Sequence, residues 1–227
     1  MSAIDGKTLA SCFKVVSKAG QELEVMSERL ADLLRDAIEG DRALPVTLSQ
    51  GGSYEEWPSR DSDDGWVSTD IAFNLPLKLR GPGRRPVDRY VGFQISMTGD
   101  STAIPGNDEP LLHMFSWGNA APIAFEDASY IGFPFDDDEE TPFEVQNDRI
   151  VTWSQAGEQR IHSWNYSLRL MELKDEQALH RYCVEPMLKL LKGSDIVQAL
   201  PDSFLQDGAL MKLPSKAALC GREEDLG

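Results

Sequence analysis

The chain has 227 residues, 41% hydrophobic and 26% charged, which is length and apolar content enough for a substantial core and too balanced for wholesale disorder. Its 22 Lys and Arg against 38 Asp and Glu leave a formal charge of −16, which opposes general attraction to nucleic acid or anionic lipid. Both draw their affinity from cationic side chains that neutralise phosphate, so a basic protein or peptide is the expected partner instead.

The first predicted element is the most regular. Leu9, Cys12, Val16, Ala19, Leu23, Met26, Leu30, Leu33 and Ala37 recur at alternating steps of three and four. That spacing predicts one amphipathic helix, started by Asp5 or Thr8 and stopped by Gly40. Gly20 sits inside it at a cost of about 1 kcal/mol relative to alanine. The stripe has two uses, packing on the chain's own sheet or forming a homodimer seam through residues 9–37.

Residues 50–65 are rich in Gly, Ser and acids and read as a loop carrying Trp57, a candidate for exposure and recognition. The period then changes to two. Val67, Thr69, Ile71, Phe73, Leu75, Leu77 and Leu79 alternate with polar positions as in a half-buried strand, whose Pro76 belongs at an edge or bulge. The turn 81–86 leads into Val91, Phe93, Ile95 and Met97, the second arm of a hairpin whose tip gathers Lys78, Arg80, Arg84, Arg85 and Arg89. Strands are further expected at 111–117, 149–153 and 161–173.

Between residues 99 and 148 stand twelve acids and no Lys or Arg. The densest run, Asp136, Asp137, Asp138, Glu139 and Glu140, lies between Tyr130, Phe133 and Phe135 on one side and Phe143 on the other. Five adjacent carboxylates point in alternating directions and cannot wrap a cation as a calcium loop does, so no metal is assigned. The run suits a basic partner, or a solvated loop pinned by its aromatics.

After the last strand Asp175 caps a helix reaching about Leu191, with Leu179, Tyr182, Cys183, Met187, Leu190 and Leu191 inward, a kink or division at Pro186 and a stop at Gly193. A short helix before Pro201, a small strand near 209–213 and a loose acidic tail at 214–227 complete the chain. The expected fold is thus α+β: a long N-terminal helix and a C-terminal helix on one face of an antiparallel meander sheet of about five strands, in a single domain over 1–213.

The chemistry-bearing residues are sparse. Cys12, Cys183 and Cys220 have no C-x-x-C spacing, which indicates neither a disulfide framework nor zinc and fits a reducing cytoplasm. No leader or membrane-length apolar run is expected either. His113, His162 and His180 fall near apolar neighbours, and nucleophile-elbow, phosphate-loop, dinucleotide and zinc-protease signatures are absent, so no cofactor is implied. The leading expectation is a non-enzymatic cytoplasmic interaction module that binds a basic partner through acids 136–140, with Trp57, Arg84 and Arg85 as further contacts. One alternative is an enzyme or small-molecule binder using a Trp-lined cavity between sheet and helices, with His113 or His162 and Asp70 as its polar groups. Another is a structural subunit assembling through the N-terminal helix.

Overall fold

A computed structural model describes residues 5–49, 55–59, 70–81, 87–97, 107, 109–118, 143–153 and 163–215, with 55–59 and 70 described by backbone alone. The long helix α1 spans Gly6–Gly40. Asp5 is its cap, its carboxylate accepting from the Lys7 and Thr8 amides at 2.9 and 3.0 Å. Strands β1 (Val46–Leu48), β2 (Glu55–Ser59), β3 (Asp70–Leu79), β4 (Arg89–Ser96), β5 (Leu111–Trp117), β6 (Phe143–Gln146), β7 (Ile150–Trp153) and β8 (Ser163–Arg169) follow. Then come α2 (Glu176–Leu179), a π-helical turn (His180–Val184), α3 (Glu185–Leu191), α4 (Ile196–Ala199) and α5 (Asp202–Gln206).

The α+β class and the antiparallel sheet are as expected, but the sheet has eight strands among the described residues rather than about five. Its order is β1-β3-β4-β5-β8-β7-β6, with β2 also pairing β3, so two three-stranded meanders, β3-β4-β5 and β6-β7-β8, join through β5 and β8. The region 50–65, expected to be loop, contains β2, whose Glu55 to Ser59 pair with Asn74 to Asp70. The opposing strand imposes extended backbone on a segment whose composition argues against it.

Pro76 illustrates how the sequence accommodates this order. It is interior to β3, yet β1 pairs residues 77–79 and β2 pairs residues 70–74, so the proline falls in the gap between the two. Its carbonyl accepts from the Ser49 amide at 3.0 Å, which places the donor-less nitrogen on that same interrupted side. Gly92 on β4 meets a different demand. A Cβ there would lie 1.8 Å from the Phe73 carbonyl oxygen, closer than any side chain allows.

The helices among the described residues pack on one side of the sheet. Leu30, Leu34 and Ile38 of α1, Phe73, Leu75, Phe93, Ile95, Met114, Tyr166 and Leu168 of the strands, and Leu179, Cys183, Met187 and Phe204 of the later helices form one continuous core. Pro186 does not break the C-terminal helix in two; the helix widens into the π turn just before it. Proline leaves the Tyr182 carbonyl without its helical donor, and the buried Tyr166 hydroxyl supplies one, donating to the carbonyls of Tyr182 and Cys183 at 3.2 and 3.1 Å. The other side of β3 is covered as well, Ala72 and Asn74 being buried, so the strand is not half-buried as its alternation implied.

Candidate interaction surface

Helix α1 is docked over only half its length. Ser27, Leu30, Ala31, Leu34 and Ile38 are buried against the core, and Leu23, Met26, Leu33 and Ala37 are half-buried beside it. Arg29 grips Glu176 of α2 through two hydrogen bonds of 2.9 and 2.7 Å, and Lys192 reaches Asp41 at the far end at 2.6 Å. Each ion pair holds its carboxylate below the usual range, the hydrogen bond from the basic partner being the largest cause.

Every residue from Asp5 to Glu22 is exposed, so the first half of the helix is an arm of roughly 25 Å reaching beyond the core. It nevertheless carries the same apolar stripe: Leu9, Phe13 and Val16 are 47%, 49% and 42% exposed, with Cys12 and Ala19 on the same flank. At 100° per residue Lys7, Lys14 and Lys18 fall on the opposite face. The arm is therefore amphipathic although none of its residues is buried. Its cap is fully built, with the Thr8 hydroxyl also donating to Asp5 at 2.7 Å and holding that carboxylate below its ordinary range.

The side of the sheet away from the helices has another character. Asn74, Gln94, Ser96, His113, Ser163, Asn165 and Ser167 are all at most 2% exposed and none is charged, apart from what His113 can acquire. Strand register sets Gln94 opposite His113 and His113 opposite Ser167. His113 Nδ1 and Ser167 Oγ share a 2.8 Å hydrogen bond, and Gln94 Nε2 donates to Ser96 Oγ at 2.9 Å. Both amide atoms of Asn74 and Oδ1 of Asn165 make no hydrogen bond within the chain, a state that water or a small uncharged ligand relieves. Burial lowers the His113 pKa to about 3, which keeps the ring neutral and makes it a poor general base near pH 7.

Asp136 to Glu140, Arg84, Arg85 and His162 lie outside the described residues, and Trp57 is placed by backbone alone, opposite Ala72 in β2. Asp70 begins β3, opposite Ser96 of β4. The described residues between sheet and helices form the apolar core, and His113 lies on the other side of the sheet. Of the tryptophans, Trp164 joins the helix-side core; Trp117 and Trp153 pair on the other side, with ring centres 5.9 Å apart. At the hairpin base Arg80 Nε is spent on the carbonyls of Leu44 and Val46, at 3.0 and 3.2 Å. Desolvation lowers the half-buried Arg89 to about 10 against the opposing pull of Asp88.

No protein-family model, characterised protein or solved structure matches this chain. Among the described residues no group of three His, Cys, Asp or Glu is placed to hold a metal, and no helix is long and apolar enough to cross a membrane. An open surface depression of about 770 Å³ beside the π turn is lined by Glu176, Gln177, His180, Arg181 and Glu185. Its polar groups already have partners, Glu176 in Arg29, Arg181 in Asp207 at 2.7 Å, and Glu185 in the His180 ring nitrogen at 3.3 Å. Sequence reasoning named the α1 stripe but not its division into docked and exposed halves, because the apolar period is the same in both.

Proposed function

We propose that this protein is a non-enzymatic interaction module of the cytoplasm that assembles through the exposed half of α1 and offers its acidic stretch to a basic partner. The exposed apolar positions Leu9 and Val16, on one flank of the arm, carry the proposal. A helix of this length without tertiary packing is marginal in water, and apolar residues in register along it gain free energy only when another polypeptide covers them. The neutral His113 and the filled helix-to-sheet interface support a binding role over a catalytic one. The cytoplasmic setting is supported by cysteine usage, with Cys12 an exposed free thiol and Cys183 a buried one.

The arm's role is tested by placing a photoreactive amino acid at Val16, on the stripe, or at Lys14, on the opposite face, and irradiating intact cells. Polypeptide adducts are expected from position 16 and few from position 14. Equal yields at both positions, or none at 16, would remove the assembly reading.

A further inference from the structure

Beyond that reading, and independent of the arm, we propose that Arg89 and Ser116 form a subsite for an oxyanion, the carboxylate or phosphate group of a small ligand, at the margin of the helix-side core. The observation behind it is a cation without an acceptor. Arg29, Arg169 and Arg181 each meet a carboxylate, and Arg80 meets two carbonyls. Arg89 differs: its Nε is buried and makes no hydrogen bond, and among the described residues no carboxylate forms an ion pair with its guanidinium. The charge that acts on it is that of Asp88, its chain neighbour, whose carboxylate already accepts from the Leu79 amide at 2.7 Å.

Strand register supplies the second member. Arg89 stands opposite Leu77 and two residues before Val91, so it shares the helix-side face with both. Val91 in turn stands opposite Ser116 of β5. Arg89 and Ser116 are therefore diagonal neighbours on adjacent strands, about 7–8 Å apart at the backbone, a gap that a side chain of arginine's length spans. Ser116 is 0% exposed, and its hydroxyl also makes no hydrogen bond. Two donors left without acceptors on one face call for an acceptor between them, and the charge of the guanidinium makes that acceptor an anion.

The surroundings argue against a purely structural arginine. A side chain that only lends its stem to the core sends its charged head into water. Here Nε is withdrawn from water, and desolvation is the largest influence on the group, lowering it to about 10. A desolvated charge without a partner is destabilising until a counter-charge arrives. The planar fork of Nε and a terminal nitrogen matches two oxygens of a carboxylate or phosphate. Arg89 is half-buried, which keeps a way in from solvent, and Ser116 stands at the inner end.

The experiment observes the arginine Nε–H groups of the full-length, 15N-labelled chain, with the Arg89 signal identified by its loss in Arg89→Lys. Sodium phosphate or sodium acetate is titrated in exchange for sodium chloride at constant ionic strength. The Arg89 signal should shift saturably with at least one of the two oxyanions, while those of Arg29 and Arg181, already paired, move little. Saturation by phosphate alone assigns a phosphate group to the ligand, and by acetate alone a carboxylate. Ser116→Ala should raise the midpoint concentration about threefold or more, and an unchanged midpoint would overturn the pairing of the two residues. Arg89→Met keeps the reach of the side chain without its charge; it should melt no lower than wild type in chloride and gain nothing from the oxyanion that raises the wild-type melting temperature. No saturable shift with either anion, or shifts that grow equally at every arginine, would overturn the site. So would Arg89→Met melting well below wild type in chloride, because the cation would then serve the chain itself.

Discussion

His113 shows how a single residue acquires its properties from strand register. The pairing of β4, β5 and β8 sets it between Gln94 and Ser167, both uncharged, and burial lowers its pKa from 6.5 to about 3. Between those values the unfolded chain binds a proton there that the native chain refuses. The contribution to stability is complete above about pH 6.5 and is lost as pH falls toward 3, by up to about 1.4 kcal/mol per pH unit. His113→Gln keeps hydrogen-bonding capacity without a titrating group. Urea unfolding from pH 7 to pH 4.5 should show its stability declining less steeply than wild type, on top of the common slope from the carboxylates; parallel curves would mean that the imidazole is protonated in the native state. The sequence shows His113 on an apolar strand, but its partner Ser167 is 54 residues away and becomes visible only when β5 and β8 are paired.

At the scale of elements, legibility follows the range of the forces that decide each one. The α1 period and the alternation of β3 and β4 are local steric patterns and were readable. Strands β1, β2 and β6 have 3, 5 and 4 residues, too few for a period to declare itself, and their strand state is set by the partners they meet. Strand order is likewise a matter of distant pairing, and a meander is only its simplest solution. For α1 the amphipathic pattern could not tell core from arm, and substitution can. Leu30 is fully buried, so Leu30→Ala should cost about 2–5 kcal/mol, whereas Leu9→Ala should change the stability of dilute protein by less than about 0.5 kcal/mol. Denaturant titration at submicromolar concentration separates the two; comparable losses would mean that the arm packs on the body in solution.

For the whole molecule, the charge of −16 is the property that composition declares without any coordinates, and its consequences are collective. Among the described residues of the stretch 99–148, Glu109 is matched by Arg169 at 3.2 Å and Asp148 by Lys212 at 3.5 Å, both exposed pairs of small worth. The excess acid acts through its summed field, which would speed capture of a basic ligand and would weaken as salt shortens the screening length from about 10 Å at 0.1 M to about 3 Å at 1 M. If two copies are held together by their arms, a basic chain long enough to touch both acidic stretches gains a second attachment at high effective concentration. Titration of a lysine-rich peptide should accordingly show affinity that falls with added salt and falls again when Asp136 to Glu140 are replaced by Ser. A longer peptide should lose its advantage over a short one when Leu9 and Val16 are both changed to Asp. Binding indifferent to salt and to the five acids would dismiss the electrostatic partner site, and an advantage of length that survives the broken arm would show that the second attachment comes from within one copy.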